Sequence, residues 1–215
     1  MNTNTSAQRI MVFGDSLSWG YQPGSHHQRF DAQTRWTGRL QMLLGDDYEI
    51  IEENLNSRGI ENGDPRLGKE GRRALDYIEP ALDSQDPLDM VIVLLGTNEL
   101  KNEMNMTAEQ VGENMEKLLN IITTRASQFR GTTPQVLLLS PPTINEDTEY
   151  CRAGDKYLGA TEKSKLLVVV YERLAAKLGV GFIALDSIVA GVDGIHIDAE
   201  QHAKVADLVY ATFKA

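Results

Sequence analysis

The sequence has one cysteine, few positive charges and no long apolar segment, and each shortage excludes a class of protein. Cys151 stands alone, which excludes an intrachain disulfide framework. No segment approaches the roughly 20 apolar residues that a membrane-spanning helix needs, and residues 1–9 are too polar for a signal peptide. These shortages predict a cytoplasmic protein that is not associated with a membrane.

Positive charge is scarce for a chain of this size. The 21 Lys and Arg residues face 31 Asp and Glu residues, which gives a formal net charge of −10. Proteins that bind nucleic acid present a basic face, so we expect no nucleic-acid partner. The acidity also disfavours a polyanionic substrate, whereas a small neutral substrate fits it.

Motifs for cofactors and metals are missing as well. The sequence has neither a Walker loop nor the glycine fingerprint of dinucleotide-binding proteins. His26, His27 and His202 lack Cys or carboxylate partners at the spacing of a metal site, and we expect them to be solvated. The sequence therefore predicts neither a cofactor nor a bound metal ion.

Apolar runs and amphipathic stretches alternate along the whole chain. Short apolar runs that end at turn residues predict five β-strands, at residues 9–13, 48–52, 90–95, 135–139 and 180–185. Helical spacing of apolar residues predicts five main helices, at residues 35–44, 73–82, 107–129, 162–178 and 198–213. Thr107 and Gln110 have the spacing of a capping box at the start of the third of these helices.

Strands separated by helices form βαβ units, which build a parallel sheet with helices on both faces. The sequence thus predicts a single α/β domain over residues 1–215, a three-layer αβα sandwich with a mostly parallel five-stranded sheet. Residues 1–8 are expected to form a flexible tail. Two polar loops, 56–72 and 143–161, are candidates for subunit contacts, and we expect a homo-oligomer.

Ligands in such folds bind at the carboxyl ends of the strands. Four polar segments stand at those ends or just before the last helix, and we expect them to converge. They are Gly14-Asp15-Ser16-Leu17, Asn54-Leu55-Asn56-Ser57-Arg58, Gly96-Thr97-Asn98-Glu99 and Asp193-Gly194-Ile195-His196.

These segments contain the groups that nucleophilic catalysis requires. A serine hydroxyl such as that of Ser16 attacks well only when a base removes its proton. His196 is a candidate base, and Asp193, three residues earlier, can fix its tautomer. The backbone N–H groups of Ser16 and Ser57 and the side-chain amide of Asn98 are candidate donors to an oxyanion.

The same segments resemble the signature blocks of the SGNH (GDSL) hydrolases, in the order of that family. The blocks are Phe13-Gly14-Asp15-Ser16-Leu17, Gly96-Thr97-Asn98 and Asp193-Gly194-Ile195-His196. Residues 16–20, 35–38 and 52–58 are similar to one branch, the arylesterases and acyltransferases with perhydrolase activity. The resemblance implies a flavodoxin-like fold, Ser16 as nucleophile, Asp193 and His196 as its partners, and Asn98 as an oxyanion donor.

Two positions depart from the family pattern. Ser57 stands where many members have a glycine that supplies a backbone N–H, and a backbone donor survives this change. Glu99 replaces a common Asp, and we expect little effect. No GxSxG elbow is present, so the chain is not a standard α/β-hydrolase.

Four residues beside these blocks are candidates for substrate binding. Trp19 and Tyr21 follow the nucleophile and could line an apolar acyl or aryl pocket. Asp15 precedes it. Arg58 could contact the acyl or leaving group, although a solvated surface arginine fits the sequence equally well. Trp36 is compatible with either the pocket or the core.

The sequence leaves three functions open. The first is a cofactor-free serine esterase that acts on small neutral short-chain or aryl esters through an acyl-enzyme, with acyl transfer or perhydrolysis as an extension that the resemblance implies. The second is a carbohydrate acetylesterase of the same fold. The third is a non-catalytic flavodoxin-like binding module, which would make the complete serine, histidine and aspartate set accidental.

Overall fold

The computed structural model describes residues 2–64 and 66–214. Its centre is one sheet of five parallel strands. The strands are β1 (Gln8–Gly14), β2 (Tyr48–Asn54), β3 (Met90–Leu94), β4 (Gln135–Leu139) and β5 (Gly181–Ile183). They lie in the order β2-β1-β3-β4-β5. The predicted α/β fold is confirmed, and every strand pair is parallel rather than most of them.

Helices cover both faces of the sheet. Side chains alternate along β1, so that Met11 and Phe13 pack into one apolar cluster while Ile10 and Val12 pack into another. The helices are α1 (Ser16–Trp19), α2 (Trp36–Leu44), α3 (Ala74–Ser84), α4 (Ala108–Thr124), α5 (Glu149–Arg152), α6 (Ala160–Leu178) and α7 (Ala199–Ala211). The first cluster lies under α3, α4 and α6, and the second lies under α2 and α7.

The ends of α4 show how local chemistry sets a helix boundary. Thr107 and Gln110 form the predicted capping box, with both reciprocal hydrogen bonds present. The helix ends at Thr124, five residues before the predicted end at residue 129, because Arg125 adopts an extended backbone conformation. Apolar spacing continues past this point, which is why the sequence pattern overestimates the length.

The N-terminal segment is attached to the body of the protein. The side-chain amide of Asn2 donates to the carbonyl oxygens of Asp46 (2.7 Å) and Tyr48 (3.0 Å), and that of Asn4 donates to Asp46 (3.0 Å). Gln8 already belongs to β1. Of the predicted tail, residues 2–7 therefore lie against the start of β2, and residue 1 lies outside the described residues.

Two aromatic side chains on the α2/α7 face are buried. Trp36 lies in the core, which decides between the two roles that the sequence allows. His202 is fully buried, and its Nδ1 accepts a hydrogen bond from the backbone N–H of Trp36 at 3.2 Å. The expectation of a solvated His202 is wrong, because α7 packs this face of the helix against α2. Within the described ranges, none of the helices combines the length and the apolarity of a membrane span.

Candidate active site

The turn after β1 places Ser16 at the carboxyl edge of the sheet. A Cβ atom at Gly14 would lie 2.5 Å from Oγ of Ser18, so only glycine fits the last position of the strand. The carboxylate of Asp15 accepts the backbone N–H of Leu17 at 2.9 Å and caps α1, which begins at Ser16. The nucleophile candidate thus stands on the first residue of a helix.

Ser16, His196 and Asp193 form a continuous hydrogen-bonded chain. Nε2 of His196 lies 2.9 Å from Oγ of Ser16, and Nδ1 lies 2.7 Å from Oδ2 of Asp193. Oδ1 of Asp193 accepts the backbone N–H groups of Ile195 (3.0 Å) and His196 (2.9 Å). Burial raises the pKa of Asp193, but the hydrogen bonds from His196 and these N–H groups outweigh it, so the pKa lies below its usual range.

The oxyanion-donor candidates line the same pocket as Ser16 and His196. Ser57 has a φ of +64°, the left-handed region that favours glycine, which explains a preference for glycine at this position. Its hydroxyl accepts a hydrogen bond from Arg66 at 2.9 Å. Nδ2 of Asn98 donates to the carbonyl oxygen of Arg58 at 3.0 Å and to Oδ2 of Asp15 at a longer 3.3 Å.

Asp15 is not positioned to touch a substrate. Its side chain is fully buried between the N-terminus of α1 and Asn98, and it does not line the pocket. Burial raises the pKa of Asp15 to about 6, against the lowering effects of the Leu17 N–H group and of His196. Asp15 supports the loop geometry instead of binding substrate as expected.

Arg58 is buried rather than solvated, and it does not line the pocket that contains Ser16. Its guanidinium is buried, donates to the carbonyl oxygens of Gly14 (3.1 Å) and Glu53, and lies 4.2 Å from the centre of the Phe13 ring. Burial lowers the pKa of Arg58 to about 10. The arginine ties the end of β1 to the end of β2, a role that depends on strand packing and leaves no local sequence signal.

The two aromatic candidates have different positions. Tyr21 lines the pocket next to His196, as expected. Trp19 does not line it. Cζ of Arg29 lies 5.0 Å from the centre of the Trp19 ring, and Nε of Arg29 donates to the backbone oxygen of Trp19 at 2.7 Å.

Glu99 has a larger role than the sequence suggests. Its buried carboxylate accepts the backbone N–H of Ile60 across the gap between two loops. Burial raises the pKa of Glu99 to about 7 against that hydrogen bond, and the negative charge of Asp15 raises it further. A Cβ atom at Gly59 would lie 2.2 Å from the backbone oxygen of Asn62 and 2.8 Å from Oε1 of Glu99, so the glycine makes room for both groups.

The pocket above Ser16 has an empty volume of about 550 Å³, and the two polar loops supply much of its wall. Six side chains of this wall are not predicted from the sequence, because they come from segments without periodicity. One local signal, the position of Lys101 three residues after Asn98, could have indicated that lysine. The six side chains are Arg66, Lys69, Lys101, Tyr150, Lys156 and Tyr157.

Among residues 2–64 and 66–214, no group of three His, Cys, Asp or Glu side chains is placed to hold a metal ion.

A parallel αβα sandwich with hydrogen-bonded serine, histidine and aspartate at the sheet edge is the arrangement of a serine hydrolase. Residues 12–204 match the GDSL-like lipase/acylhydrolase family, and the chain belongs to that family. No significant match was found among curated protein sequences.

Several solved structures are similar over nearly the whole chain. Est24, a carbohydrate acetylesterase from Sinorhizobium meliloti, is 33% identical, with a TM-score of 0.89 and coverage of 96% of this chain and 98% of that one. The aryl esterase of M. smegmatis is also 33% identical, with a TM-score of 0.89 and coverage of 97% and 99%. A putative arylesterase from Agrobacterium tumefaciens is 29% identical, with a TM-score of 0.85 and coverage of 96% and 98%. The predicted carboxylic ester hydrolase of the SGNH fold is thereby confirmed.

Proposed function

We propose that the chain hydrolyses small short-chain or aryl esters through an acyl-enzyme on Ser16. The supporting observation is the chain of hydrogen bonds from Ser16 through His196 to Asp193, at 2.9 and 2.7 Å. His196 removes the proton of Ser16 as its oxygen attacks the ester carbonyl, and then gives that proton to the leaving alcohol. Water attacks the acyl-enzyme with His196 again acting as base, which releases the acid and restores Ser16.

Negative charge develops on the carbonyl oxygen during both attacks. The backbone N–H groups of Ser16 and Ser57 and the amide of Asn98 are the donors in this proposal. Asn98 has only two N–H hydrogens, and its bond to Arg58 is the shorter one. The oxyanion therefore competes with Asp15 for the second hydrogen of Asn98.

Acyl transfer is the extension of this mechanism. An alcohol or hydrogen peroxide that attacks the acyl-enzyme in place of water gives a new ester or a peracid. The similarity to arylesterases supports this extension. Product analysis with added alcohol measures the ratio of transfer to hydrolysis.

A carbohydrate acetylesterase is the second candidate. The polar character of the pocket, which contains Asn56, Thr97, Tyr150 and several charged side chains, suits a hydroxyl-rich leaving group. Two similar structures, both from Sinorhizobium meliloti, carry that description, one as a carbohydrate acetylesterase and one as a member of the carbohydrate acetylesterase family. A higher kcat/KM for acetylated xylose than for an aryl acetate would favour this candidate over an arylesterase.

The proposal includes a homo-oligomer. Large apolar side chains that are more than half exposed lie close in sequence to Asp193 and Tyr157, at Val189, Val192 and Leu158. Exposed apolar surface is a common feature of contacts between proteins. Light scattering coupled to gel filtration measures the mass, and a monomer would contradict this part of the proposal.

Ser16→Ala tests the mechanism. Hydrolysis of p-nitrophenyl acetate should fall by about 10³-fold or more, because removal of the nucleophile leaves only binding and oxyanion stabilisation. A serine-directed phosphonate should add its mass to Ser16 in the unchanged protein. Ser18→Ala is the matched control, since it removes a hydroxyl that has no hydrogen-bond partner among the described residues. Full activity in Ser16→Ala, or an adduct on another residue, would contradict the proposal.

A further inference from the structure

The pocket above Ser16 is cationic although the protein is acidic. Among the residues that the structure describes, four positively charged side chains line it and no Asp or Glu residue does. A chain with a net charge of −10 would present mostly carboxylates at an average surface. The concentration of positive charge next to the nucleophile is therefore a property of this pocket. The four side chains are Arg66, Lys69, Lys101 and Lys156.

Three of the four charges lack a carboxylate partner. Arg66 is paired with Asp64, with Nε of the arginine 2.8 Å from Oδ1, so that its charge is largely compensated. Lys69, Lys101 and Lys156 form no salt bridge with any residue that the structure describes. Four lysines elsewhere on the surface do find glutamate partners, namely Lys117, Lys165, Lys177 and Lys204, whereas Lys163 and Lys214 have none among the described residues.

Lys101 is the most constrained of these lysines. It follows the 3₁₀ turn Thr97–Leu100 that carries Asn98, so it lies one turn beyond the oxyanion-donor candidate. Only 5% of Lys101 is exposed, yet its side chain lines the pocket and makes no hydrogen bond to the described part of the chain. Burial lowers the pKa of Lys101, and the nearby Asp64 opposes that effect. An ammonium on a side chain this buried, with no salt bridge to the described residues, is costly, and a bound anion would offset the cost.

Lys156 is held in place without being neutralised. Its Nζ donates to the hydroxyl of Tyr150 at 2.6 Å and lies 4.2 Å from the centre of the Tyr150 ring and 5.9 Å from that of Tyr157. Both contacts fix the position of the ammonium and leave its charge intact. Lys156 thus presents a fixed positive charge to the pocket.

A neighbouring cavity restricts where an anion can bind. This outer cavity shares Arg66, Lys101 and Lys156 with the pocket, but Glu103 and Asp155 also line it. The two carboxylates repel an anion from the outer side. The side that faces Ser16 has the lysines without the carboxylates.

We infer that the pocket selects esters that carry an anionic group, a carboxylate on the acyl chain or on the leaving alcohol, and that Lys101 and Lys156 bind this group. The inference rests on the proposed esterase mechanism and names a substrate class for it. It replaces the neutral substrate that the overall acidity of the chain suggests, because the local charge next to Ser16 is opposite to the net charge.

Matched pairs of esters test the charge preference. The pair 3-acetoxybenzoate and methyl 3-acetoxybenzoate varies the charge of the leaving group. Phenyl hydrogen glutarate and phenyl methyl glutarate vary the charge of the acyl group. Each rate is corrected for spontaneous hydrolysis of the same ester in the same buffer, which includes attack by the ester's own carboxylate. In at least one pair the anionic ester should have a kcat/KM about 10-fold higher or more, since one nearby charge pair supplies that factor, and the ratio should fall at high salt.

Lys101→Met and Lys156→Met assign the preference to these side chains. Methionine keeps an unbranched side chain and removes the charge. The readout is the ratio of kcat/KM between the anionic and the neutral ester of a pair. A general loss of activity lowers both values and therefore cancels in this ratio. Each variant should lower the ratio by about 10-fold. Lys204→Met is the matched control on α7, because that lysine pairs with Glu200 on the surface, and its ratio should equal that of the unchanged protein.

Two outcomes would overturn the inference. One is a ratio at or below one in both pairs, and the other is an unchanged ratio in both Lys101→Met and Lys156→Met. Ser16→Ala separates this failure from failure of the mechanism. If hydrolysis of the neutral esters depends on Ser16 while the ratio stays near one, only the charge preference is wrong. If Ser16→Ala hydrolyses the neutral esters normally, the proposed mechanism itself fails.

Discussion

The phenol ring of Tyr21 stacks on the imidazole of His196, with ring centroids 4.3 Å apart and ring planes inclined by 27°. The hydroxyl of Tyr21 donates to the carbonyl oxygen of Ser25 at 3.0 Å and accepts the backbone N–H of His27 at 3.2 Å. Both bonds fix the phenol, and the phenol in turn covers one face of the imidazole. Tyr21 is thus a positioning residue for His196 in addition to lining the pocket.

Tyr21→Ala should lower kcat for p-nitrophenyl acetate by about 3- to 10-fold, because an aromatic pair contributes about 0.5–1.5 kcal/mol. The free imidazole would sample orientations that do not face Ser16. Tyr21→Phe keeps the stacking and should retain most of the activity, which makes it the matched variant. Equal kcat in Tyr21→Ala and the unchanged protein would contradict the positioning role.

Asn98→Ala should lower kcat by about 10²- to 10³-fold with a smaller effect on KM, as expected for a donor that acts in the transition state. It also leaves the carbonyl oxygen of Arg58 unpaired, which should cost about 1–3 kcal/mol of stability. Steady-state kinetics and thermal denaturation measure the two effects separately. Asn102→Ala, at an exposed position one turn further on, is the control. A change confined to KM would argue against an oxyanion role for Asn98.

Ser57→Gly and Ser57→Ala should both keep kcat within about 3-fold, since each retains the backbone N–H that the mechanism uses. The glycine variant should be more stable than the alanine variant by about 1 kcal/mol, because only glycine adopts the +64° φ without strain. Urea unfolding measures that difference. Loss of activity to the level of Asn98→Ala would instead assign a catalytic role to the Ser57 hydroxyl.

The buried His202 should make the protein sensitive to acid. Burial lowers the pKa of His202 to about 3, with further lowering by the charges of His196 and Arg35. The unfolded chain binds a proton near pH 6.5, whereas the folded protein does so only near pH 3. Stability that is present above pH 6.5 is therefore lost as the pH falls from 6.5 towards 3.

A comparison of two pH values isolates this effect. Between pH 7 and pH 4 the unchanged protein should lose about 3 kcal/mol more unfolding free energy than His202→Gln. Other titrating groups contribute equally to both proteins and cancel. Urea unfolding at the two pH values gives the difference. An equal loss in the two proteins would show that His202 is already protonated in the folded state at pH 4.

The sheet and the placement of the candidate site residues could be predicted because they rest on local signals. Strand periodicity, together with the rule that ligands bind at carboxyl strand ends, places Ser16 and Asn98 at the same edge. The Asp-x-x-His spacing places Asp193 with His196 in a single turn. Each of these signals is contained within a few consecutive residues.

Other side chains could not be placed in this way. Arg58 follows a turn and Trp19 ends the short helix α1, and in both places the direction of the side chain depends on packing against distant strands and loops. Lys101 and Lys156 belong to segments without periodicity that meet only in the folded protein. The total charge of −10 also gives no information about the sign of the charge at one pocket.

The hydrogen bond between Ser16 and His196 joins residues that are 180 positions apart. The nucleophile therefore leaves the ribosome early in synthesis, and its base follows only when the domain is almost complete. In the proposed mechanism, a nascent chain that stops before residue 193 has no base and cannot attack esters. A chain truncated before residue 196 would therefore keep the nucleophile and all five strands of the sheet and still lack esterase activity.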